Sequence, residues 1–132
     1  MRTLIVEDDF DARNLLQLLI SELGRADVAV NGKEAVDAFQ AAHQADDPYD
    51  LILLDIMLPK LNGRKALKRI RNIEDKIGVA GKARVPVIMI SALDDAENII
   101  GSFFKEGCEA YMTKPYSKEA LFSQIEKLKQ AG

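Results

Sequence analysis

The sequence predicts an α/β protein, a parallel sheet covered on both faces by helices. Three observations carry that prediction. Strand-like apolar runs alternate with amphipathic helical segments five times, the pattern of right-handed crossover units. One run, Leu51-Ile52-Leu53-Leu54, is too apolar to face water on either side, as befits a central parallel strand. Acidic residues close two of the runs, Glu7-Asp8-Asp9 after Leu4-Ile5-Val6 and Asp55 after Leu54. Open α/β sheets bind their ligands at such carboxyl ends.

Each element has a local reason. Residues 3–8 form the first predicted strand. Residues 11–23 follow as a helix with Leu15, Leu16, Leu19, Ile20 and Leu23 inward and Gly24 as its stop. A short strand spans 26–30, and Asn31-Gly32 supplies the turn after it. Lys33 to His43 is the second helix, with Ala35, Val36 and Phe39 inward. The third strand covers 50–55, and Pro59 prevents its continuation. Gly63 to Glu74 is the third helix, with Ala66, Leu67 and Ile70 inward, while its Lys and Arg residues (Arg64, Lys65, Lys68, Arg69, Arg71) mostly form a solvated face. Gly78 to Arg84 has no apolar period and reads as a connection. Val85 to Ser91 is the fourth strand, Asp95 to Lys105 the fourth helix with Gly107 as its stop, and Ala110 to Thr113 the fifth strand. Lys118 to Lys129 closes the chain as a helix capped by Ser117, with Leu121, Phe122, Ile125 and Leu128 inward.

The 132 residues are enough for one domain with its own core, expected to span 1–132 without a repeat or a linker. A net charge of −3 argues against a general nucleic-acid or membrane-surface binder. No apolar run is long enough to span a bilayer and no signal-peptide pattern opens the chain, so a cytoplasmic protein is expected. The single cysteine, Cys108, fits a reducing compartment and a small buried apolar role; His43 reads as a solvated helix residue.

Four positions fall at carboxyl ends of predicted strands, and each suits phosphoryl transfer. Glu7-Asp8 is an acidic pair that repels itself unless a hard cation such as Mg²⁺ neutralises it. Asp55 is a carboxylate able to form an aspartyl phosphate. Ser91 offers a hydroxyl donor and Lys114 a fixed positive charge. Since phosphoryl transfer is mostly positioning and charge neutralisation, the set is sufficient in kind.

In these motifs the chain resembles the receiver domain of two-component response regulators. Val6-Glu7-Asp8-Asp9 resembles the family's acidic motif, and Asp55-Ile56-Met57-Leu58-Pro59 followed by Gly63 its phosphoacceptor segment. Ile90-Ser91-Ala92 resembles the hydroxyl motif and Tyr111-Met112-Thr113-Lys114-Pro115 the lysine motif. The resemblance covers essentially the whole chain. It implies a flavodoxin-like (βα)5 doubly wound sheet of strand order 2-1-3-4-5. It implies phosphorylation of Asp55 by a histidine kinase or histidine phosphotransfer protein. It implies a Mg²⁺ site made by Asp8, by Glu7 through water, by Asp55 and by the backbone carbonyl of Met57, with Arg13 at the arginine often seen in the family's first helix and Asp9 close by. It implies a cis Lys114-Pro115 bond, and a switch in which Ser91 moves to the phosphoryl group and Tyr111 turns inward, remodelling the partner-binding face of the fourth helix, fifth strand and fifth helix.

The expected protein is thus a stand-alone, chemotaxis-type receiver that catalyses only its own phosphorylation and dephosphorylation. A phosphorelay intermediate is one alternative. A metal-dependent aspartyl-phosphate phosphatase is another, but phosphatases of the haloacid dehalogenase type place a second aspartate where Met57 stands. An FMN-binding flavodoxin-like protein would need a Ser/Thr/Gly-rich phosphate loop in place of Glu7-Asp8-Asp9. Two departures from the family pattern stand out. The stretch from Asn72 to Arg84 is longer than usual, read as a tolerated surface insertion with a partner-specific feature as the alternative. Met57 and Leu93 are both apolar at positions that tune phosphoryl lifetime, so slow self-dephosphorylation is expected.

Overall fold

A computed structural model of the chain describes residues 1–92 and 107–131. The fourth predicted helix, 95–105, and Leu93 lie outside the described residues. Five parallel strands stand in the order β2-β1-β3-β4-β5, the flavodoxin-like arrangement. They are β1 (Arg2–Val6), β2 (Arg25–Ala29), β3 (Leu51–Asp55), β4 (Val87–Ala92) and β5 (Ala110–Lys114). Helices α1 (Phe10–Ile20), α2 (Gly32–Gln44) and α3 (Gly63–Lys76) follow the first three strands, and a C-terminal helix covers Lys118–Ala131.

Strand periodicity divides the core in two. Leu4, Val6, Ile52, Leu54, Val87 and Met89 point to the layer shared with α2 and α3. Their neighbours Ile5, Leu51, Leu53, Ile88 and Ile90 point to the layer shared with α1 and the C-terminal helix. Every residue of β3 is buried, as a central strand covered on both faces requires. The strand order reverses between β1 and β3, and this topological switch point opens a crevice at their carboxyl ends.

Caps fix where the helices begin. The Asp9 carboxylate accepts from the Ala12 N–H at 2.8 Å, Asn31 from Glu34 at 2.8 Å, and Asn62 from Lys65 at 2.9 Å. Ser117 caps the C-terminal helix through the Ala120 N–H at 3.0 Å, as the sequence predicts. Leu121 and Ile125 of that helix are buried.

Several element boundaries and faces differ from the sequence expectation. β1 ends at Val6 rather than residue 8, although the Glu7 N–H still donates to the Ala29 carbonyl at 3.1 Å. β4 starts at Val87 instead of Val85 because Pro86 has no N–H for a ladder. Helix α1 stops at Ile20, and Leu15, expected inward, is 52% exposed. The 100° step between residues explains this: Leu16 and Ile20 take the buried stripe and rotate Leu15 out of it.

The largest correction concerns Arg71, which lies on the buried side of α3 and not on its solvated face. All five of its N–H donors are used. Nε and one terminal nitrogen donate to the Gly107 carbonyl at 3.0 and 2.7 Å. The other terminal nitrogen donates to Glu74 at 2.7 Å and to the Val85 carbonyl at 2.8 Å. Glu109 accepts the fifth bond at 3.0 Å. Glu74 is wholly buried and its second oxygen accepts from the Val85 N–H at 2.8 Å, while Glu109 accepts from the Val87 N–H at 2.6 Å. The long connection after α3 contains a single 3-10 turn, Gly81–Ala83, and returns to the sheet through this cluster.

Removing the guanidinium leaves the Glu74 carboxylate buried and unpaired. Arg71→Ala is expected to lose about 3 kcal/mol of unfolding free energy, as breaking other buried ion pairs does. Urea unfolding of the two proteins checks it; a loss below about 1 kcal/mol, the scale of an exposed pair, would contradict it.

Candidate functional site

The crevice at the switch point holds the charged groups that the sequence singles out. Asp55 is the last residue of β3, and Ile56 continues the ladder by donating to the Ile90 carbonyl at 3.1 Å. The chain then turns sharply, and the Met57 N–H donates to the Asp55 Oδ1 at 3.1 Å, fixing the carboxylate's rotation. The Met57 side chain is exposed. Gly63, the first residue of α3, passes so close behind Asp55 that any Cβ there would collide with the Asp55 carbonyl oxygen and with the Ile56 Cα.

Glu7, Asp8 and Asp55 each offer a carboxylate oxygen, and these oxygens lie within 4.8 Å of one another. Glu7 and Asp55 are buried while Asp8 is exposed. Asp9 instead serves as the cap of α1. Arg13 reaches back over the loop, donating to the Glu7 carbonyl at 3.2 Å and the Asp8 carbonyl at 3.4 Å.

The Lys114 ammonium enters from the end of β5. It sits 2.9 Å from a Glu7 oxygen and 3.2 Å from the Asp55 Oδ2. Burial works against its charge, but the bonds to Glu7 and Asp55 outweigh it and its pKa is raised. The Lys114-Pro115 peptide is cis, as the resemblance implies. Glu7 shows the opposite balance. Burial, followed by its hydrogen bond to Asp55, pushes its carboxyl up to about 8 despite the pull of Lys114.

Ser91 lies in β4 beside Thr113 of β5, and its buried Oγ has no hydrogen-bond partner among the described residues. Tyr111 is half-buried against the core layer of α2 and α3. Tyr116, which the sequence did not single out, is close enough to feel the charges of Lys114, Glu7 and Asp55, and burial pushes its phenol up to about 12. Its only sequence signal is its place directly after the Lys-Pro pair.

Three clustered carboxylates offer hard oxygen ligands, two of them in a buried setting where an unneutralised charge is costly. That donor set fits Mg²⁺ in chemistry. A parallel sheet that gathers carboxylates, a hydroxyl and a lysine at one carboxyl edge defines the receiver class of signalling module. The chain belongs to the response regulator receiver domain family, whose model matches residues 3–126.

Among curated relatives it is 33% identical over 129 residues to the regulatory protein VanRB of Enterococcus faecalis, covering 97% of this chain and 52% of that one. It is 37% identical over 124 residues to the uncharacterized transcriptional regulatory protein YcbL of Bacillus subtilis, covering 92% and 48%. The chain therefore spans about half the length of these relatives. Among solved structures, a Francisella response regulator receiver domain superposes with a TM-score of 0.75 at 32% identity, covering 99% of this chain and 98% of that one. The receiver domain of a Pseudomonas aeruginosa sensor histidine kinase, solved with a magnesium ion coordinated in its active-site cleft, gives 0.79 at 26% identity, covering 96% and 95%.

The raised Glu7 pKa has a definite sign. An unfolded glutamate titrates near 4.5 and the folded one near 8, so between those values the folded chain holds the extra proton and stability falls as pH rises. A cation binding among these oxygens favours the ionised form of Glu7 and so loss of that proton. Mg²⁺ affinity measured by calorimetry is expected to tighten between about pH 6.5 and about pH 8.5 with proton release, and to lose that dependence in Glu7→Gln. An affinity flat across the window would contradict displacement of a Glu7 proton by the metal.

Proposed function

We propose that this chain is a phosphorylation-controlled switch of two-component signalling, acting in the cytoplasm and accepting a phosphoryl group on Asp55. The observation that carries this reading is the buried Asp55 carboxylate, oriented by the Met57 N–H and held 3.2 Å from the Lys114 ammonium. The donor is a phosphohistidine on a histidine kinase or phosphotransfer protein. A carboxylate oxygen of Asp55 forms the new P–O bond as the P–N bond to the imidazole breaks, and the imidazole leaves with the bonding electron pair. The phosphoryl group carries its own charge across, so Lys114 neutralises part of the charge gathering on its oxygens. Mg²⁺, when bound by Glu7, Asp8, Asp55 and the Met57 carbonyl, supplies further neutralisation of the same oxygens. Asp55→Asn removes the nucleophile. Intact mass after incubation with acetyl phosphate and Mg²⁺ is expected to rise by one phosphoryl group in the parent chain, and in neither Asp55→Asn nor a metal-free sample.

The switch starts at Ser91. An unpaired buried hydroxyl costs about 1–3 kcal/mol, which a phosphoryl oxygen on Asp55 would recover. Phosphorylation adds roughly −1.5 to −2 charge and new acceptors, drawing Ser91 toward the acceptor and opening room for Tyr111 to turn inward. The change is a shift in population between two arrangements, read out by a protein partner on the face that includes β5 and the C-terminal helix. Phosphorylation is expected to shift the Tyr111 ring resonances in the parent and to leave them in place in Ser91→Ala, although that variant still takes up phosphoryl groups. Unmoved Tyr111 resonances in the parent would remove the switch.

Both Met57 and Leu93 lack a group to orient an attacking water, so self-dephosphorylation is slow. Decay of the phosphorylated protein within seconds, followed by mass spectrometry, would overturn that statement.

A further inference from the structure

The charge of this chain is strongly uneven. Residues 1–59 carry twelve acids against four Lys and Arg, whereas residues 60–84 carry nine Lys and Arg against two acids. In the structure those two acids are already engaged. Glu74 is buried on Arg71, and Asp75 pairs with Arg84. Lys60, Lys65, Lys68, Arg69, Lys76 and Lys82 are all exposed, and none has a carboxylate partner among the described residues. The helical period puts Lys65, Arg69 and Lys76 in one line, with Lys68 beside it, on the side of α3 opposite Ala66, Leu67 and Ile70. From Lys65 to Lys76 the stripe runs about 16 Å along α3.

We infer that the exposed face of α3 is a docking surface for a short acidic segment of a partner protein, separate from the phosphoacceptor crevice. Charge and extent select this occupant. The stripe is one helix wide, and α2, packed beside α3, exposes Glu34 and Asp37, with Asp46 in the turn that follows. A nucleic-acid duplex, with one negative charge per roughly 1.7 Å and a breadth beyond one helix, would press its phosphates onto those carboxylates. An anionic bilayer would meet the same flank. An acidic helix or strand no longer than α3 faces the cations of the stripe, and the exposed acid of α3, Asp75, is paired with Arg84. Such a surface adds encounter rate and specificity and is strongly weakened by salt.

The test uses the whole chain and a fluorescent glutamate-rich peptide of about fourteen residues, matched to the length of α3. Fluorescence anisotropy at low salt is expected to show binding, with amide shift changes confined to α3 and its two flanking loops. Affinity should fall by about tenfold in a triple variant, Lys65→Glu, Arg69→Glu and Lys76→Glu, and by a lesser factor in the corresponding glutamine triple, which guards against misfolding of the first. Circular dichroism and uptake of phosphoryl groups from acetyl phosphate show that both variants fold. Absence of peptide binding to the parent, or binding that both triples retain, would overturn the inference. So would tighter binding of a DNA duplex or phosphatidylserine vesicles than of the peptide through these same residues.

Discussion

One ammonium group holds the functional edge of this protein together. Lys114, at the end of β5, bonds Glu7 just beyond β1 and Asp55 at the end of β3, residues 107 and 59 positions away in sequence. Two buried carboxyl groups this close do not both ionise readily, and Glu7 holds its proton up to about 8 even beside Lys114. The fold supplies what this contact needs. Strand order places β1 and β3 side by side, the loop after β1 brings Asp8 to the rim, and Arg13 of α1 reaches back to the same loop. The site is therefore poised rather than relaxed: Glu7 keeps its proton far above the ordinary range, and the Ser91 hydroxyl lies buried without a partner among the described residues. Both are groups whose surroundings improve when charge or acceptors arrive.

At the amino-terminal end of the sheet, charge is handled differently. Arg71 spends every donor on carbonyls and carboxylates of its own chain, and it links α3 with Val85, Gly107 and Glu109 at the approaches to β4 and β5. This buried charge is already matched, so it serves architecture. Lys114 also touches two carboxylates, but it is about a third exposed and faces a crevice open to ligands. The same kind of ion pair thus becomes structural or functional according to whether anything remains to be satisfied.

The site was more legible in the sequence than the packing around it. Asp55, Ser91 and Lys114 were identifiable because each polar group interrupts an apolar strand at its carboxyl end, and a parallel sheet gathers such ends on one edge. The sheet order came from the resemblance, since the alternating pattern leaves strand order open. Arg71 was misplaced because a charged residue among four other cations resembles solvated surface. A cue was present: Leu67, Ile70, Arg71 and Glu74 follow the i, i+3, i+4, i+7 spacing of a buried stripe. Leu15 failed for the converse reason, since α1 carries more leucines than its narrow buried stripe can cover. The end of β1 was misjudged because Glu7 keeps a ladder hydrogen bond after the regular strand has stopped.

Gly63 has a consequence for how the molecule measures distance. Its missing side chain lets the first turn of α3 lie directly on the Asp55 carbonyl, so the helix starts at Asp55 itself and not from a loose tether. Helix α3 is in this sense a ruler whose zero mark is Asp55. Anything attached along its outer edge sits at an offset from Asp55 set by the helical rise. A protein engineer could use that graduation to mount a probe a chosen number of turns from Asp55, provided position 63 stays glycine.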